Sequence, residues 1–128
     1  MATGEKPAKD LWDKLDVLGK LGSGLVLAFL QFHDEKNREL AEGLQVQLKN
    51  QGFSAPGTEL VSKDYPNEVR FFHKEDSELA QKVARVTENF LQGKGSPRTF
   101  KIQDLSKSSF SAKAQKGQVE IWINLDRS

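Results

Sequence analysis

The chain predicts an α+β fold in which one sheet carries two long helices. Three observations point there. Apolar runs suited to strands alternate with segments of helical periodicity, and they do so twice. The stretch Phe32-His33-Asp34-Glu35-Lys36-Asn37-Arg38-Glu39-Leu40-Ala41 is echoed, one residue shorter, by Phe72-His73-Lys74-Glu75-Asp76-Ser77-Glu78-Leu79-Ala80. Each copy begins where an apolar run ends and a helix begins, which implies a duplicated strand-helix unit. Finally, 128 residues without cysteine suit one domain with a single core and no disulfide framework.

The elements follow in chain order. Residues 1–9 are small and charged, and read as a disordered tail. Asp10 caps an amphipathic helix over residues 10–21, with Leu11, Leu15 and Leu18 on one stripe and Trp12 beside it. Gly22-Ser23-Gly24 ends that helix. Residues 25–32 (LVLAFLQF) are nearly all apolar, as a central strand buried on both faces requires. Residues 34–51 form a helix with Leu40, Ala41, Leu44 and Leu48 turned inward, stopped by Gly52. After the Pro56-Gly57 turn, residues 58–61 make a short edge strand, and residues 68–72 (EVRFF) make a third strand. A second helix over residues 75–91 carries Leu79, Val83, Val86 and Phe90 on its inner face, widened by Ala80, Ala84 and Leu91. Gly93, Gly95 and Pro97 stop it. Residues 99–105 (TFKIQDL) are a strand and residues 106–115 a serine-rich loop. The last strand, within residues 118–124, alternates Val119, Ile121 and Ile123 against Glu120 and Trp122.

The domain therefore covers residues 25–124, with one βαβ unit over 25–62, a second over 67–105, and an extra strand over 118–124. Such a repeat closes most simply as a ferredoxin-like βαββαβ sandwich. Right-handed crossovers put both helices on one face. The first and third strands become antiparallel neighbours, and the extra strand joins as a hairpin beside residues 99–105.

Nothing in this pattern requires catalysis, a cofactor or a metal, and the chain reads as a non-enzyme. His33 and His73 follow antiparallel strands, so they fall at opposite sheet edges, roughly 15–20 Å apart. That is too far to share an ion, and both are expected to serve the turns. Asp34, Glu35, Glu75 and Asp76 begin helices, where carboxylates complement the helix dipole. Gly22-Ser23-Gly24 precedes a strand and Gly93-Lys94-Gly95-Ser96 follows a helix, so neither is a phosphate loop.

Two surfaces are candidates for binding. On the third strand Val69 and Phe71 face the helices, which sends Arg70 and Phe72 to the open face; Phe32, the repeat equivalent of Phe72, joins them. The trio Phe32, Arg70 and Phe72 resembles the arrangement RNA-recognition motifs use to stack bases, although the glycine-aromatic signature of those motifs is absent. The plainer reading is that the first helix or a partner chain covers this face. The second surface is basic. The net charge is +1, but residues 91–118 hold six Lys and Arg against Asp104 alone, so they carry +5 and the rest −4. Lys107, Lys113 and Lys116 form a strip suited to phosphate, anionic glycan or anionic lipid; its plainer reading is a solvated loop. No secretory signal is evident. The apolar stretch 21–30 is about half the ~20 residues of a bilayer crossing. Trp12 among leucines and lysines suits peripheral membrane contact, opposed by Asp13 and Asp16.

The segments Glu68-Val69-Arg70-Phe71-Phe72-His73-Lys74-Glu75-Asp76 and Gly117-Gln118-Val119-Glu120-Ile121-Trp122 resemble a poorly characterised bacterial module that often closes multidomain proteins. In topology that module is similar to the SPOR domain, a ferredoxin-like fold that binds septal peptidoglycan glycan. The resemblance implies a non-catalytic interaction module of a bacterial protein, in the cytoplasm or at a membrane. It would act through a protein partner or as a homodimer. The alternative is an anionic polymer, either glycan or single-stranded nucleic acid, held by the sheet face and the basic loop.

Overall fold

The structure, a computed structural model, describes residues 27–127. The tail 1–9, the helix 10–21 and the glycine hinge expected from the sequence lie outside the described residues. The chain runs through β1 (Leu27–Phe32), α1 (Arg38–Asn50), β2 (Thr58–Leu60), β3 (Glu68–Phe71), α2 (Ser77–Gly93), β4 (Lys101–Asp104) and β5 (Gln118–Ile123). Short 3-10 turns at Glu35–Asn37 and Lys74–Asp76 lead into the helices, and a third, Ser109–Ala112, interrupts the approach to β5. The result is the expected α+β layering of a mixed five-stranded sheet with two helices.

The strand order is β2-β1-β5-β3-β4. Each βαβ unit keeps its two strands adjacent and parallel, β1 with β2 and β3 with β4. The last strand corrects the sequence expectation. It does not lie beside β4. It enters between the units, parallel to β1 and antiparallel to β3. Thus β1 and β3 run in opposite directions, as expected, but are not neighbours. Burial explains the placement. Val119 and Ile121 are fully buried and Ile123 is 1% exposed. Beside β4, itself a polar edge strand, β5 would have kept one margin open to water.

One face of the sheet holds the core. Ala28, Leu30 and Phe32 of β1, Val69 and Phe71 of β3, and Val119, Ile121 and Ile123 of β5 form one cluster with Ala41, Leu44, Leu48, Ala80, Val83, Ala84 and Leu91 from the helices. Both helices therefore sit on the same face. On α2 the deepest line is Ala80, Val83, Ala84, Thr87 and Leu91, while Leu79, Val86 and Phe90 flank it half-buried. Thr87 belongs to that line because its hydroxyl donates to the Val83 carbonyl at 2.8 Å, which satisfies the buried oxygen. The helices meet at Gly43, where an added Cβ would lie 3.1 Å from the Phe90 ring.

The two units match bond for bond, but not in the register suggested by the repeated letters. Val61 N–H donates to Phe32 O, and Leu105 N–H to Phe71 O. Asn37 N–H donates to Asp34 O, and Asp76 N–H to His73 O. Phe32 thus corresponds to Phe71, and Asn37 to Asp76, at one constant spacing. The Phe-His pairs that look alike in sequence are one position out of step. At the far end Phe53 N–H bonds Leu48 O as Ser96 N–H bonds Leu91 O, just past glycines with positive φ, Gly52 and Gly95. The second helix, 17 residues against 13, is longer by about one turn.

Past β5 the chain is latched. Asn67 Oδ1 accepts from Asn124 N–H at 2.6 Å, and Asn67 Nδ2 donates to Asn124 O at 3.0 Å. The fully buried Asn124 amide donates in turn to Asp64 Oδ1 and Tyr65 O.

Candidate binding surface

The open face does not assemble the expected aromatic trio. Phe32 is fully buried and belongs to the core under the helices, with the Arg38 guanidinium 5.1 Å above its ring. Its true counterpart, Phe71, is buried there too. Phe72 is 4% exposed. It lies past the end of β3, where the chain turns toward the 3-10 turn and strand alternation no longer applies. Of the three, Arg70 alone is not buried, and it is committed within the chain. It donates to Glu68 Oε1 from Nη2 at 2.8 Å and lies 4.1 Å over the Trp122 ring. Trp122 Nε1–H donates to Glu120 Oε1 at 3.0 Å, and Tyr65 meets the indole edge-on at 5.0 Å. A guanidinium already occupies the indole face a base would stack on.

These contacts shape the electrostatics of the face. Burial pushes the Glu120 carboxyl up; the Trp122 N–H and the Arg70 charge oppose that only in part. Burial also pushes the Tyr65 phenol up, and its hydroxyl donates to Ile123 O at 2.9 Å. The Gln31 side-chain oxygen on this face is buried without a hydrogen-bond partner among the described residues.

The histidines follow β1 and β3, whose opposed directions place them at opposite ends of the sheet. His33 lies 3.3 Å from Val61 O through Nδ1 and 3.6 Å from Asp126 through Nε2. His73 Nε2 lies 2.7 Å from Ala114 O. Both tie turns to neighbouring segments. No group of three or more His, Cys, Asp or Glu residues is placed to hold a metal among the described residues.

The basic strip fares differently. Residues 105–117 cross the end of β3 on their way to β5, and the loop is braced from inside and below. Ser108 N–H and Oγ–H both donate to Leu105 O, Ser111 N–H and Oγ–H donate to Ser108 O, and Lys113 and Ala114 N–H donate to Phe110 O. From below, His73 holds Ala114, and Asp76 Oδ2 accepts from Gly117 N–H at 2.7 Å. The brace leaves Phe110 63% exposed on the 3-10 turn Ser109–Ala112. Lys107, Lys113 and Lys116 of the same loop are exposed, and no acidic residue occurs between 105 and 117. Lys116 reaches Glu75 at 3.1 Å, an exposed pair of little energetic weight. At the foot, bonds from Ser106 hold the Asp104 carboxyl below its usual range, and a bond from its own backbone N–H, then one from Lys116, does the same for Glu75. The three lysines were legible as a strip. Phe110 was not singled out, although a lone aromatic among serines and lysines, with only Ala112 and Ala114 at strand and helix spacing, was the signal for it.

The fold and this surface define a two-layer α+β domain with a braced basic loop at one end of the sheet. Comparison with family models, curated proteins and solved structures finds no match to this chain. Among the described residues no helix is long and apolar enough to cross a membrane.

Proposed function

We propose that the chain is a non-catalytic interaction module whose contact surface is the braced loop 105–117, meeting an anionic partner. The observation that supports this is a hydrogen-bonded turn carrying Lys107, Lys113 and Lys116 with no acid in the loop itself, Lys116 alone meeting a carboxylate from outside it in the exposed pair with Glu75. Preorganised cations hold anionic groups with less ordering cost than a floppy loop would. The test is the triple variant Lys107→Glu, Lys113→Glu, Lys116→Glu. Retention of the chain on a sulfated-glycan or oligonucleotide resin should weaken as salt rises and be lost in the variant. Equal retention by variant and parent removes the loop from the account.

A second reading is protein contact or self-association, favoured by Leu60, 41% exposed on the edge strand β2. Edge strands accept a further strand readily. Light scattering over a range of concentrations, with Leu60→Lys as the variant, separates the two readings. The common hydrogen-bond register of the βαβ units supports descent from one duplicated segment. The resemblance to a bacterial module of SPOR-like, ferredoxin-like kind fits a binding role without naming a ligand.

A further inference from the structure

We propose that the anionic partner of the 105–117 loop is a lipid surface, with Phe110 entering the boundary between headgroups and acyl chains while Lys107, Lys113 and Lys116 meet headgroup phosphates. This rests on the loop being the contact surface, and adds what kind of surface it contacts.

Phe110 decides between a membrane and a soluble polyanion. Its ring is 63% exposed although the loop around it is fixed by hydrogen bonds. A loop that merely carried charge would gain nothing from an exposed phenyl group. The residues beside the ring are small, Ser109, Ser111 and Ala112. They offer no second aromatic to sandwich a base, as single-strand platforms do. They also give too little area for a protein interface, which buries about 800 Å² on each partner. A bilayer asks for neither. It accepts one protruding ring without a matching pocket, and small neighbours leave that ring free to enter. Lysines around it then lie at headgroup depth, with stems long enough to keep their charges in the phosphate layer.

The foot of the loop limits how deep it goes. Asp104 and Glu75 lie there, exposed carboxylates that an anionic surface repels, and Lys116 must exchange its 3.1 Å pair with Glu75 for a headgroup phosphate. Contact is therefore confined to the tip. This is reversible docking by one ring and three cations, sensitive to salt and to the anionic lipid content.

The experiment is sedimentation of the full chain with phosphatidylcholine vesicles, with and without phosphatidylserine. The chain should bind only the anionic vesicles. Phe110→Ser should weaken binding about tenfold or more, the range expected for withdrawing a phenyl side chain from an apolar phase. Phe110→Trp should restore it, and the triple lysine-to-glutamate variant should abolish it. Circular dichroism of each variant checks that the fold persists, as the exposure of Phe110 leads one to expect. Three results overturn the proposal: no binding to anionic vesicles, binding unchanged in Phe110→Ser, or binding lost in Trp12→Ser but kept in Phe110→Ser. If vesicles fail while the polyanion resin retains the chain through the three lysines, the lipid proposal falls and the loop reading stands. If both fail, the loop reading falls as well.

Discussion

The two βαβ units share a chain path but differ in how their strand-to-helix turns are held. In the first, Asn37 Nδ2 donates to His33 O four residues away, while the His33 ring ties the turn to Val61 O and Asp126. In the second, Asp76, at the corresponding position, reaches Gly117 N–H across 41 residues, and His73 reaches Ala114 over the same separation. The difference bears on the proposed binding surface. The first turn is tied to the residue after β2 and to the segment after β5, whereas the second has become the bracket that holds the loop 105–117. A side chain that serves local geometry in one unit fixes a distant surface in the other.

If the units are equivalent in their cores, equivalent truncations should cost alike. Leu48→Ala and Leu91→Ala remove matched, fully buried side chains, and each should cost about 2–5 kcal/mol in urea unfolding. A full cost in one and a negligible cost in the other would break the equivalence. The turns should then diverge. Asp76→Ala removes a charge-assisted bond and should cost about 1.5–3 kcal/mol, against about 0.5–1.5 kcal/mol for Asn37→Ala. Only Asp76→Ala should speed amide exchange in residues 108–117. Similar exchange in both variants would mean that Asp76 does not hold the loop.

Asp34 sharpens the comparison on a smaller scale. Its φ is 75°, while its counterpart His73 is extended at φ −133°. A side chain there is strained by about 1–3 kcal/mol, and Asp34 offsets part of this by accepting from Lys36 N–H at 3.1 Å. Asp34→Ala keeps the strain and loses the cap, so it should destabilise by about 1 kcal/mol. Asp34→Gly should stay within about 1 kcal/mol of the parent. Equal melting of the two variants would deny that φ matters there.

Glu120, on the strand that joins the units, should give the smallest effect, and one set by pH. Its carboxyl titrates above the ordinary 4.5 because burial disfavours its charge. The folded state then binds its proton more tightly than the unfolded chain does. The contribution of Glu120 is fully present below the ordinary value and is lost as pH rises through the raised one. Glu120→Gln should therefore stabilise the fold at neutral pH, and the gain should fade below about pH 4.5. A gain that is the same at both pH values would assign it to another cause.

Sequence periodicity located most elements because burial on one face writes itself into spacing. Leu44 and Leu48 announced α1, and Val119, Ile121 and Ile123 announced β5. Spacing carries no record of which strand lies alongside, so the entry of β5 between β1 and β3 was not legible. The repeated Phe-His letters misled for a related reason. They made Phe32 the partner of Phe72, whereas the backbone pairs Phe32 with Phe71 and puts both in the core. That one-residue slip sent Phe32 to the wrong face. Lys107, Lys113 and Lys116 were legible as charge, and Phe110 stood alone among them; the bonds that hold the loop, from His73 to Ala114 and from Gly117 to Asp76, join residues 41 positions apart and left no mark in the spacing.

Amide hydrogen exchange resolved strand by strand tests the central claim, that β5 is the seam between two units. Its N–H groups lie between β1 and β3, so Val119–Ile123 should exchange as slowly as those two strands and much more slowly than edge strands β2 and β4. Exchange in β5 as fast as in β4 would place it at a margin and contradict the fold on which the proposed binding surface depends.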